Sequence, residues 1–101
     1  MRPVLHGDVV AAARALLAMP AEKRRSAMGT MLSRASAADA YRKRFGRAHG
    51  AWGNGSLMAV AHGYELRPEP FLDDAEYCAC LVMVFDTLMA WRGSHSCAEE
   101  C

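Results

Sequence analysis

Arg42, Lys43, Arg44, Arg47 and His49 crowd into one short stretch, with Tyr41, Phe45 and Trp52 interleaved. Cations fanned out at a helix end, with a few aromatics among them, are what phosphate groups or an acidic protein face would meet. The stretch runs into GRAHGAWGNGS (46–56), which holds four of the eight glycines. That loop matches neither the P-loop nor the dinucleotide fingerprint: no strand precedes it and no Lys-Ser/Thr follows Gly55. Arg47, His49, Trp52 and Asn54 are nevertheless poor choices for a plain linker. Arg42, Lys43, Arg44, Arg47, His49, Trp52 and Asn54 are therefore the candidate residues for binding a partner or polyanion. The competing expectation is structural. Cations at a helix C-terminus stabilise its dipole without any ligand, and these could pair with Asp73, Asp74 and Glu76. Trp52 would then tuck into the core.

Other chemistry is thin. Cys78 and Cys80 stand two apart in a helical run, so their side chains diverge by about 200° and cannot chelate one metal together. His95, Cys97 and Cys101 could supply three ligands, with no evident fourth. Neither a disulfide framework nor a metal site is expected, and reduced thiols point to the cytoplasm. His6, His49, His62 and His95 are scattered, and no Ser or Cys sits in a catalytic setting. The sequence predicts no enzyme and no cofactor.

These residues must be carried by helices. Six valines, no isoleucine and only Thr30 and Thr87 accompany abundant Ala and seven Met, a composition that favours helix over strand. The length predicts one domain, with 1–92 helical and 93–101 a flexible tail. Asp8 reads as the N-cap of a first helix bearing Val9, Val10, Ala13, Leu16 and Leu17, which Met19-Pro20 ends. Met28, Met31, Leu32 and Ala35 make the stripe of a second. Continued straight, that face would take in Asp39 and Arg42, so two helices, about 21–34 and 36–46, are favoured over the alternative of one long helix with an Asp39–Arg42 pair. Ser56 caps a short helix at 57–62, and Pro68 and Pro70 keep 64–72 extended. Asp73 and Glu76 read as N-cap and third-residue partner of a last helix, with Leu72 and Tyr77 as a staple. That helix is apolar over most of its circumference to Trp91, and Gly93 stops it. The expectation is an all-α bundle of four or five helices with a central C-terminal helix and a Gly-rich loop.

Charge is unevenly shared. Residues 22–47 hold eight of the twelve Lys/Arg, whereas 65–100 hold eight of the eleven acids, so the net of +1 hides two opposed halves. Such a dipole can clamp on itself or on a partner. Residues 9–21 only superficially resemble a signal peptide, since Asp8 and Arg14 interrupt the pattern. No apolar stretch is long enough to span a membrane.

The run AADAYRKRFGRAHGAWGNGSLMAVA (37–61), the opening MRPVLHGDVVAAARALL and the PEPFLDD-x-x-Y-x-A-C-L block (68–81) resemble a family of short uncharacterised alphaproteobacterial proteins. Such proteins are associated with genes regulating phage-like gene transfer agents. The resemblance implies a regulatory, non-catalytic role. It places any site at Arg47, His49, Trp52, Gly53, Asn54, Gly55 and Ser56. The expected function is a regulatory accessory module docking on a protein partner through the basic patch and Met-rich apolar faces. The second reading is a nucleic-acid-binding regulator or packaging factor using 42–49. The third is a small enzyme or metal protein.

Overall fold

Four helices form from these stripes: α1 (His6–Leu17), α2 (Ala21–Phe45), α3 (Leu57–Ala61) and α4 (Ala75–Glu100). The computed structural model describes the backbone of residues 1–100 and the side chains of 1–93. Among the described residues there is no strand, only an isolated antiparallel bridge between His49 and Gly53. The chain is an all-α bundle.

The centre belongs to α1, in which seven of twelve residues are buried and which, like α2, packs against all three other helices. Its alanines explain why. Ala11, Ala12, Ala13 and Ala15 are buried around Leu16, and such short side chains let several helices approach one axis. The expectation that α4 is the most buried element is therefore corrected. Tyr77, Cys80, Val84 and Leu88 of α4 are buried in the core, but Val82, Phe85 and Met89 point outward. An almost uniformly apolar helix has no stripe to reveal which side faces in. Packing decides it.

Helix ends also depart from the sequence expectation. Leu5, not Asp8, is the N-cap residue of α1, and Asp8 is the third residue of the helix. Its Oδ2 accepts the Leu5 N–H at 2.8 Å, the back-reaching half of a capping box. Its Oδ1 accepts the Met58 N–H of α3 at 2.8 Å, and the side chain is buried. One carboxylate thus satisfies amides at two helix starts. At α4 the cap moves one residue. Asp74 Oδ1 accepts the Tyr77 N–H at 2.9 Å, and Leu72 stays exposed, so no staple to Tyr77 forms. α3 starts as expected, with Ser56 Oγ accepting the Ala59 N–H at 3.1 Å.

α2 is one helix of 25 residues, not two. Met28, Met31, Leu32, Ala35 and Ala38 continue one buried face, and Asp39 falls on it. The break predicted at Ser33–Ser36 is unnecessary because Asp39 has counter-charges, described below. Gly46 ends the helix in the left-handed region (φ 72°), its N–H bonded to the Arg42 carbonyl at 2.8 Å.

Arg24, an unremarkable member of the basic half in the sequence, is buried and structural. Its guanidinium donates to the carbonyls of Leu16 and Met19 at the end of α1 and pairs with Glu76 of α4. The opposed charges thus meet internally here. The extended stretch 64–72 is tied down by Arg14 Nε donating to the Arg67 carbonyl at 2.7 Å. α4 runs through Gly93, where the sequence predicted a stop. The flexible-tail expectation, with His95, Cys97 and Cys101, concerns side chains outside the described residues.

Candidate functional site

The basic turn is built on Asp39. This carboxylate is buried, with the Lys43 ammonium at 3.0 Å, the amino-terminal ammonium of Met1 at 3.4 Å and Arg42 at 3.6 Å. Burial alone would raise the Asp39 pKa. The hydrogen bond from Lys43 and the positive amino terminus outweigh it and hold the carboxyl below its ordinary value of 3.8. Two of the five clustered basic residues, Arg42 and Lys43, are therefore already engaged. Their partner is Asp39, not Asp73, Asp74 or Glu76.

Gly55 closes this hub from the loop side. A Cβ there would lie 2.6 Å from Cα and Cβ of Asp39, and its φ of 95° excludes most side chains in any case. The Gly55 carbonyl accepts the Arg2 N–H at 3.0 Å. Loop, amino-terminal segment and α2 thus converge on one carboxylate.

The remaining loop residues largely build the loop. His49 exchanges both backbone hydrogen bonds with Gly53, at 2.8 and 3.0 Å. Its Nδ1 accepts the N–H groups of Ala51 and Trp52, at 3.0 and 3.1 Å. Asn54 Oδ1 accepts the Ser56 N–H at 3.1 Å, an Asx turn leading into α3. The His49 ring stacks on Trp52 with centroids 4.6 Å apart and planes 9° apart, and Tyr41 meets His49 edge-on at 4.9 Å. Arg34 lies 5.7 Å from the Trp52 ring centroid and donates to the Tyr64 hydroxyl at 3.1 Å. Trp52 is half-buried against the core rather than inside it.

Arg44 and Arg47 are different. Both are exposed and make no ion pair among the described residues. Arg44 lies 5.4 Å from the Phe45 ring centroid, and Phe45 is itself half exposed. The free charge of the 42–49 segment therefore sits at its outer end.

Trp52 also forms one wall of an open groove of about 730 Å³ between α2 and α4. Trp91 and Thr87 stand on the α4 side, and Gly29, Ser33 and Ala37 floor it. On the outer face of α4, Val82, Phe85 and Met89 are 60, 52 and 71% exposed. Their spacing of three and four residues puts them on one face of the helix.

Cys80 is buried, and that burial pushes its thiol upward in pKa. Cys78 is half-buried, its Sγ 2.9 Å from the Leu72 carbonyl. Among the described residues no three His, Cys, Asp or Glu side chains gather as metal ligands would, and no helix is long and apolar enough to cross a membrane.

A family model matches residues 2–88. The chain belongs to that family, described as "Domain of unknown function (DUF7742)". No curated protein and no solved structure matches it. The matched span covers all of α1 to α3, the glycine loop and the packed part of α4.

Sequence reasoning read Asp8 only as an N-cap and Asp39 only as a partner of Arg42 in the alternative single helix; it missed Arg24 and Arg34 as structural anchors and Trp91 as a groove wall. Asp39 had a visible signal: an acid on the continuing apolar face of α2. For Arg24 and Arg34 no local signal exists, because their partners lie 52 and 30 residues away.

Proposed function

We propose that this chain is a non-enzymatic regulatory accessory module that docks on a protein partner in the cytoplasm. One observation carries the reading. α4 buries one apolar face against the bundle and presents a second, Val82, Phe85 and Met89, to solvent. A contiguous apolar helix face rimmed by polar residues marks an interaction site, and methionine adapts to varied partners. Exposed Arg44 and Arg47 add charge that steers encounter. The resemblance to proteins associated with regulation of gene transfer agents supports a regulatory setting.

The experiment is site-specific photo-cross-linking in the native cell. A photoreactive phenylalanine analogue at Phe85 should give a discrete cross-linked protein band, and the same analogue at exposed Ala21 should not. Equal or absent cross-linking at both positions refutes docking through α4. Arg44→Glu with Arg47→Glu should lower the melting temperature of the purified chain by no more than about 8 °C, since exposed substitutions cost within about 0.5 kcal/mol each.

The exposure of Arg44 and Arg47 also supports a second reading, contact with nucleic acid. Duplex binding that falls steeply with salt, and is lost in that double variant, would favour it over protein docking. Weak, nonspecific retention fits the first reading.

A further inference from the structure

The amino-terminal segment lies along α4 and leaves hollows on both sides of Leu5. On one side a groove of about 300 Å³ is walled by Val4, Leu5, Phe85, Leu88 and Met89, with His6 and Arg92 at its edge. On the other, Leu5, Met58, Pro3 and Arg2 bound a hollow of about 520 Å³. Leu5 is the ridge between them and is 70% exposed. Arg2 and Arg92 also share a smaller hollow beside Val4, so the two guanidiniums flank the same segment.

Among the described residues that line these hollows, the unpaired charge has one sign. Arg2 and Arg92 are exposed and make no ion pair among the described residues. Among the described residues, the one carboxylate lining any of the three hollows is Asp8, which is buried and already accepts the Leu5 and Met58 amides. Asp86 is exposed on the Val82 side of α4, about 60° round the helix from Met89 and about 120° from Arg92, and lines none of the hollows. We infer that this double hollow is a docking site for an acidic amphipathic helix of another protein. Two apolar side chains one turn apart would straddle Leu5, and flanking Asp or Glu would meet Arg2 and Arg92. Helix-in-groove recognition uses such i, i+4 anchors.

A second copy of this chain fits the surface less well. A two-fold interface places the same patch on both sides. Arg2 and Arg92 would then face cations of the other copy with no free carboxylate from the hollows between them. An acidic helix meets the cations with opposite charge and places apolar side chains against Leu5, Phe85 and Met89.

The inference rests on the docking reading but fails separately from it. The probe is a displayed library of 16-residue amphipathic helices with fixed apolar i, i+4 and i+7 positions and randomised flanks, selected on the full chain. Asp and Glu should be enriched at the flanks, and a selected peptide should bind at least tenfold more tightly than its Lys-flanked counterpart. Arg2→Glu with Arg92→Glu should abolish that preference while leaving the circular-dichroism melt unchanged. Leu5→Ala, which removes the apolar ridge without adding charge, should weaken acidic and basic peptides alike. No enrichment, enrichment of Lys or Arg, or a preference surviving the double reversal would overturn the inference. So would sedimentation showing a dimer that the same reversals dissolve. If Phe85 cross-links a partner in cells while the library shows no acidic preference, docking stands and this occupant falls.

Discussion

Asp8 offers a measurement that separates two readings of one residue by magnitude. As a simple N-cap, its replacement by alanine would cost about 1 kcal/mol. In the structure it is a clamp, accepting the Leu5 N–H and the Met58 N–H at 2.8 Å each from a buried position. Hydrogen bonds to a charged group contribute about 1.5–3 kcal/mol each. Part of the loss at Leu5 is recovered, because that end of α1 is open to water. Asp8→Ala should therefore cost about 3 kcal/mol. For a domain of this size that lowers the melting temperature by about 12–24 °C. Asp8→Asn can still accept one N–H but turns its own NH₂ toward the other, so it should fall between wild type and alanine. The assay is urea and thermal denaturation followed by circular dichroism, with amide hydrogen exchange as the local readout. In Asp8→Ala the Met58 amide should lose protection ahead of the amides in the middle of α2. A cost near 1 kcal/mol, or unchanged exchange at Met58, would show that the link from α1 to α3 carries no weight and would refute the clamp.

Leu16→Ala should destabilise by about 2–5 kcal/mol because it empties the centre of the bundle, whereas Phe85→Ala, half exposed, should cost under about 1 kcal/mol; equal losses in denaturant titrations would restore α4 as the core. Gly55→Ala should cost about 2–4 kcal/mol, since it adds a disfavoured positive φ to a Cβ overlapping Asp39, and a melt unchanged from wild type would show that the loop yields freely. Asp39 supplies a pH dependence. Its folded pKa is depressed, so its contribution is present above the unfolded value and is lost as pH falls through the folded one. Stability should thus decline on acidification below about pH 4, and Asp39→Asn should flatten that limb; an unaltered acid limb would assign it to other carboxylates.

Several features are local and therefore readable from the chain alone. Alanine-rich composition with few β-branched residues dictates helix. Met28, Met31, Leu32 and Ala35 recur at helical spacing, and all four are buried. Ser56 caps α3 because its partner amide is only three residues on. Pro68 and Pro70 exclude helix through their own rings. The Gly-rich loop is likewise marked by its punctuation.

What required the tertiary structure is whatever depends on a distant partner. The continuity of α2 turned on the charges gathered around Asp39, one of them supplied by Met1 at the far end of the sequence. The basic segment looked uniform, yet Arg42 and Lys43 pair with Asp39, three and four residues away on its face of α2, while Arg44 points off that face and Arg47 lies beyond the helix. His49 and Asn54 were legible as special residues, but their use as builders of the loop appears only in its hydrogen bonds. α4 shows the limit most clearly. Its sequence is apolar nearly all round, and hydrophobicity has no direction. Only packing against α1 and α2 selects Tyr77, Cys80, Val84 and Leu88 as the inner face and leaves Val82, Phe85 and Met89 outside.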